Sequence, residues 1–165
     1  MSDSKVRSVL LDTNVWLDYY LGYRAGNSDA SRLISLLLEK EIPIYYSSLS
    51  LKDVFYSIAS CLKADVRESG ETLSLGRAQA IREIAWGCAD NMSWMGFAAP
   101  MNESQVRRAM MLKGLHSDLE DDLVLSCLET DGIDSFVTSD KALLGKSPVP
   151  VFTPATFIEY LQSWG

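Results

Sequence analysis

The chain has 165 residues, 47% of them apolar and 22% charged, and a net charge of −7 at neutral pH. That length suits one compact domain, residues 1–165, with a sizeable apolar core. The negative balance argues against broad, non-specific affinity for nucleic acid, unless the acids are gathered in one site that a divalent metal neutralises.

The opening residues, Met1 to Ser8, lack the long apolar stretch of a signal peptide, and no apolar run is long enough to span a bilayer. The expected location is the cytoplasm, with no membrane partner. Cys61, Cys88 and Cys127 lie far apart in apolar helical patterns and read as reduced, buried thiols.

In chain order, Val9-Leu10-Leu11 reads as a short buried strand ending at Asp12. A helix follows within Val15 to Leu21, and another over Ser31 to Lys40, where Leu33, Leu36 and Leu37 recur at helical spacing. Ile42 to Tyr46 is a second strand, with Pro43 favouring its start. Ser50 then caps a helix through Asp53, Val54, Ile58 and Leu62. Lys63 to Leu75 is polar and reads as loop, and Gly76 to Asn91 as helix through Ala80, Ile81, Ile84 and Ala85. Met95 to Ala99 is a third strand. Asn102 caps a helix to about Leu115, and Ser117 or Asp118 caps another, from Asp121 to Thr130. Ser135 to Thr138 and Val149 to Phe152 are the remaining strands, and Thr156 to Gln162 the last helix.

Strands alternating with helices predict an α/β fold, a sandwich around a mostly parallel sheet of about five strands. In such a sheet, ligands sit beyond the carboxyl ends of the strands. Asp12 ends the first strand, Asp140 follows the fourth, and Asp53 lies in the first turn of the helix leaving the second. Asp121 starts the helix that feeds the fourth strand, so its position falls on the same rim. Four carboxylates in one cleft repel one another, and Mg²⁺ or Mn²⁺, which take hard oxygen ligands and retain waters, relieve that repulsion.

Each acid also has a structural reading. Ser50 with Asp53, and Asp118 with Asp121, have capping-box spacing. Asp12 suits an Asx turn with Thr13 and Asn14, and Asp140 suits the cap of a short helix at Ala142 to Leu144. The convergence of all four on one rim distinguishes the functional reading. Asp118 is a secondary ligand candidate, whereas Asp122 and Glu120 are expected to face solvent. His116 is the only histidine and reads as a surface or capping residue. Arg107, Arg108, Lys113 and Lys141 are candidates for phosphate contacts, against the plainer reading of a solvated face. An aspartyl phosphotransferase reading lacks both a second aspartate two residues after Asp12 and a glycine-rich phosphate loop.

Leu10-Leu11-Asp12-Thr13-Asn14-Val15 resembles the opening strand motif of PIN domains. Asp118-Leu119-Glu120-Asp121-Asp122-Leu123, followed by Phe136-Val137-Thr138-Ser139-Asp140, resembles that family's closing acidic motifs. The ordered set spans Val9 to about Leu161. The resemblance implies a three-layer α/β/α sandwich and a single-strand-specific ribonuclease using Mg²⁺ or Mn²⁺. In many bacterial members (the VapC type) it also implies an antitoxin partner and homodimerisation. Carried over, Asp12, Asp121 and Asp140 are metal-binding carboxylates, steadied by Asn14 and Thr138. The family usually has Glu at the second acidic position, where this chain has Asp53. Residues 63–94 form a longer segment than minimal members carry. A second reading is a catalytically silent PIN-like module that binds RNA or protein.

Overall fold

A computed structural model describes residues 6–113, 118–145 and 147–163. The described elements run β1 (Val9–Leu11), α1 (Thr13–Tyr20), α2 (Asn27–Glu39), β2 (Ile44–Ser47), α3 (Ser48–Glu68) and α4 (Leu75–Met95). They continue with β3 (Phe97–Ala99), α5 (Glu103–Leu112), α6 (Leu119–Thr130), β4 (Ser135–Val137), β5 (Val151–Phe152) and α7 (Pro154–Gln162). The expected order of elements is therefore present. His116 lies outside the described residues, as does Ser117, the other candidate cap.

All neighbouring strands pair in parallel, in the order β3-β2-β1-β4-β5. Strand alternation divides the core into two layers. Val9, Leu11, Ile44 and Val137 pack with Val15, Trp16, Leu33, Leu37, Val54 and Phe157 on one face. Leu10 and Phe136 pack with Val124, Leu125, Cys127 and Leu128 on the other. Helices on both faces of a parallel sheet make a three-layer α/β/α sandwich, and explain why β1 and β4 are buried throughout.

Several boundaries differ from expectation: α2 starts at Asn27 and α6 at Leu119, and α4 runs on through Met95, the expected start of the third strand. Two further differences concern α3. Helix α3 begins at Ser48, capped by Ser47, whose Oγ accepts the Ser50 amide at 3.0 Å. Ser47 is extended (φ −77°, ψ 152°), so its side chain meets the N3 amide and Ser50 becomes a helical residue. The expected loop from Lys63 is also helical as far as Glu68, because nothing in Lys63 to Glu68 breaks a helix. Gly70, at φ 75°, marks the turn beyond its C-terminus. In α4 the buried stripe is Ile81, Ala85, Ala89 and Met92, while Ile84 faces outward.

All three cysteines are free thiols: Cys127 is buried, and Cys61 and Cys88 are half-buried. Among the described residues, no helix is long and apolar enough to cross a membrane.

Candidate active site

From β1 the chain moves outward through β2 to β3, then returns to the opposite side of β1 with β4. The carboxyl ends of β1 and β4 therefore flank the point where strand order reverses, the crevice where open parallel sheets bind ligands. Asp12 and Thr138 sit there, each one residue beyond its strand.

The Asp12 amide donates to the Val137 carbonyl at 2.9 Å, extending the β1–β4 ladder by one bond. Its extended backbone lets the side chain cap α1, with Oδ1 accepting the Thr13 amide at 2.8 Å. Oδ2 accepts the Thr138 hydroxyl at 2.6 Å and Asn14 Nδ2 at 3.0 Å. Asn14 Oδ1 in turn accepts the Ser139 amide at 3.0 Å, which fixes its amide orientation. Thr138 Oγ1 also accepts the Asp140 amide at 2.9 Å. One threonine hydroxyl thus ties two of the candidate acids together.

Burial raises the pKa of Asp12 above the ordinary carboxylate value. The Thr138 and Thr13 hydrogen bonds oppose that rise, the Asp140 charge adds to it, and the Asn14 bond lowers it again. Net, the ionised Asp12 is short of positive charge. Asp140 is exposed, and its Oδ1 accepts the Ala142 amide at 2.8 Å in a turn rather than a helix.

Thr138→Val is expected to lower stability by about 1–3 kcal/mol, because Asp12 and the Asp140 amide both lose a buried partner. Urea denaturation of the two proteins measures this. A difference below about 0.5 kcal/mol contradicts the role given to the hydroxyl.

A second hydroxyl chain links the ends of β1 and β2. Thr13 Oγ1 donates to Ser50 Oγ at 2.9 Å, and Ser50 Oγ lies 3.0 Å from Ser47 Oγ. Reading Ser50 as the cap hid this role, although the Ser-x-x-Ser spacing could have revealed it. The same shift removes Asp53 from a capping box and places it in the second turn of α3. There it is half-buried, with Lys52 Nζ 2.9 Å from its Oδ1.

Asp118 caps α6 through the Glu120 amide, 2.8 Å from its Oδ1. Glu120 is exposed, as expected, and its carboxyl also hydrogen-bonds that of Asp53. Its pKa is pushed up to about 7 by burial first, then by the Asp53 hydrogen bond and charge. Lys52 opposes the rise and Asp118 adds to it.

An acid with a raised folded-state pKa binds a proton that the unfolded chain releases between its ordinary value and about 7. The metal-free protein is therefore expected to lose stability as pH rises through that window. Asp53→Asn should flatten part of the slope, leaving the contribution of Asp12. Denaturation midpoints in chelator at about pH 5 and about pH 8 test the sign.

Asp121 is half-buried in the same first turn of α6. Asp122, expected in solvent, is buried at 3% exposure. The reason is α5, which covers that face of α6: Arg108 grips Glu129 there with two nitrogens, Nη2 at 2.8 Å, and Ser126 is fully buried. Arg107 pairs with Glu103 at 2.7 Å. Two of the four phosphate-contact candidates are thus engaged in ion pairs on α5, while Lys113 and Lys141 are exposed.

The structure brings together Asp12, Asn14, Thr138 and Asp140 at one end, and Asp53, Lys52, Glu120 and Asp118 at the other. Among the described residues, no group of three acids, cysteines or histidines is placed to hold one ion. Mg²⁺, however, is commonly held by one or two carboxylates and retains its waters. The hard oxygens of Asp12 and Asp140, which lie close enough for the Asp140 charge to act on Asp12, fit such an ion.

Residues 8–142 match the PIN domain. The chain belongs to the PIN-domain family. PIN domains are generally nucleases, a class of hydrolases. Solved PIN-like structures share the fold. VapBC2 from Rickettsia felis, bound to a DNA fragment from its promoter, is 14% identical over 88% of this chain and 97% of that one, with a TM-score of 0.62. PAE2754 from Pyrobaculum aerophilum is 14% identical over 97% of this chain and 98% of its own, with a TM-score of 0.58. No curated protein matches the chain.

Proposed function

We propose that this PIN domain is a divalent-metal-dependent endoribonuclease that cleaves single-stranded RNA by hydrolysis. The observation that carries the reading is Asp12, partly buried at the strand-order switch and held there by Thr138 and Asn14. Asp12 and Asp140 would hold Mg²⁺ or Mn²⁺, with Asp121 and Asp53 on the same rim. Bound there, such an ion supplies an activated water and neutralises charge at the phosphodiester.

The chain's own residues do the positioning. Asn14 and Thr138 donate to Oδ2 of Asp12 and fix its orientation, so that its remaining lone pairs face the crevice without a rotamer search. Thr138 also anchors the Asp140 backbone, holding the two acids in register. Lys141, adjacent to Asp140, and Lys113 are exposed and would attract the RNA backbone, while Arg107 and Arg108 would have to leave their ion pairs to do so.

Incubating the protein with labelled single-stranded and duplex RNA, in Mn²⁺ or in chelator, tests this reading. Cleavage confined to single strands with metal is the expected result, and metal-independent cleavage overturns it.

Likeness to VapBC2 supports a further reading, the toxin of a toxin–antitoxin pair, acting as a cytoplasmic homodimer. A protein partner also suits the outward side chains of α3, α4 and β3. Leu75 is 92% exposed and Trp94 83%, with Tyr56, Trp86 and Phe97 also exposed. A catalytically silent binding module is the second reading, favoured by the short Asp53 and by the spread of the acids over two groups. Calorimetric titration with Mn²⁺ separates the two, because a silent site takes up no metal.

A further inference from the structure

We propose that Tyr56 and Trp86, held together by Phe55, form a stacking platform for unpaired bases of the RNA strand that enters the acidic rim. The assignment rests on the single-strand nuclease reading above and adds a subsite to it.

The platform is built from two elements, with Phe55 and Tyr56 on α3 and Trp86 midway along α4. Phe55 is partly buried against the core and meets both neighbours at an angle. Its ring lies 5.1 Å from Tyr56 at 88° and 5.0 Å from Trp86 at 60°. The two outer rings are thereby fixed yet open, Tyr56 being 63% and Trp86 59% exposed. Such rings accept any base, because every base has a π face, and only a strand with unpaired bases can offer one.

Position and charge set these rings apart from the other exposed apolar side chains. Tyr56 follows Asp53 by three residues, so the two are neighbours on the helix surface and the platform begins beside the rim. Lys52, paired with Asp53 at 2.9 Å, stands one turn before Tyr56. Lys63 and Arg67 return to the Tyr56 side of α3 two and three turns further on. A phosphate backbone running along α3 thus meets cations while its bases meet the rings. On α4, Glu83 and Asp90 outnumber Arg82 around Trp86, which disfavours a path for the backbone there. Leu75 and Trp94 lie about 16 and about 12 Å along α4 from Trp86, toward its two ends.

Fluorescence anisotropy of a short labelled oligouridylate in chelator, where the strand is not cut, tests the assignment. Tyr56→Ala and Trp86→Ala are each expected to weaken binding about 5-fold or more, whereas Tyr56→Phe, which keeps the ring, should retain affinity. An abasic strand of the same length should bind the unmodified chain and both alanine variants alike. Lys63→Gln should weaken both strands equally, through a lost phosphate contact. With RNA and Mn²⁺, the alanine variants should raise KM about 5-fold and leave kcat within about twofold. Thermal melting checks that each variant is folded.

Unchanged affinity and KM in both alanine variants, beside normal cleavage by the unmodified chain, overturn the platform alone. An equal loss on the abasic strand does the same. If the variants alter the oligomeric state in light scattering while RNA affinity holds, the rings serve a second copy of this chain and the assignment falls. If the unmodified chain neither binds nor cuts single-stranded RNA, the nuclease reading fails and takes the platform with it.

Discussion

Asp12→Asn should abolish metal-dependent cleavage of single-stranded RNA, with a rate loss of at least about 100-fold, while the protein stays folded. The substitution is nearly isosteric, and the amide still offers one oxygen to the Thr13 amide or the Thr138 hydroxyl. What it removes is the negative charge. In the unmodified protein that charge is partly buried beside Asp140 with three neutral hydrogen-bond donors and, among the described residues, no cationic partner. A carboxylate so placed costs stability until a cation arrives, which makes it a good ligand.

Two further measurements belong with that assay. Mn²⁺ affinity should fall in parallel with the rate, and melting temperature in chelator should hold or rise, since a buried charge has been removed. Cleavage within about twofold of the unmodified protein would mean that Asp12 only ends a strand and caps a helix. Loss of cleavage with unchanged Mn²⁺ affinity would place the metal elsewhere on the rim.

The largest effect on stability is expected from Phe136→Ala, about 3–5 kcal/mol. Phe136 is fully buried, pairs with Leu10 and Val151 across the centre of the sheet, and packs with Leu125 and Leu128 of α6. Truncation leaves a cavity between sheet and helix that short strands cannot close, because β1 and β4 are each held by neighbours on both sides. Against a typical total of about 5–15 kcal/mol, the variant should be close to the threshold of folding. Urea midpoints measure it, and a loss below about 1 kcal/mol contradicts the central place given to β4. Since β4 delivers Thr138, Mn²⁺ affinity in the surviving folded fraction should fall as well.

Much of this arrangement is legible in the chain itself. The run Val9-Leu10-Leu11 is short, wholly apolar and stopped by a polar residue, which is the pattern of a strand buried on both faces. Alternation of such runs with helical spacing fixes a parallel layered fold, and a parallel fold gathers its strand ends on one edge. Asp12 and Asp140 follow from that logic because each lies within three residues of a strand, where local register decides placement; Asn14 and Thr138 are indicated by the resemblance to PIN domains. Helix termini were less legible. Ser47 and Ser50 are equally good caps by composition, and only the extended backbone at the end of β2 selects Ser47.

Tertiary packing decided what helical periodicity alone misassigned. Asp122 lies on the face of α6 that sequence spacing assigns to solvent, yet α5 covers that face and buries it. Glu120 is exposed, as its place beside a cap suggests, yet its carboxyl also meets Asp53 of α3, a contact between distant segments that helical spacing does not show. The physical reason is common to both. A helical period tells which residues share a face, but not how many faces a neighbouring helix covers. The sequence by itself determined the sheet, the rim and the acids placed at strand ends; the packing of α5 against α6 buried Asp122, and only the tertiary structure brought Glu120 to Asp53.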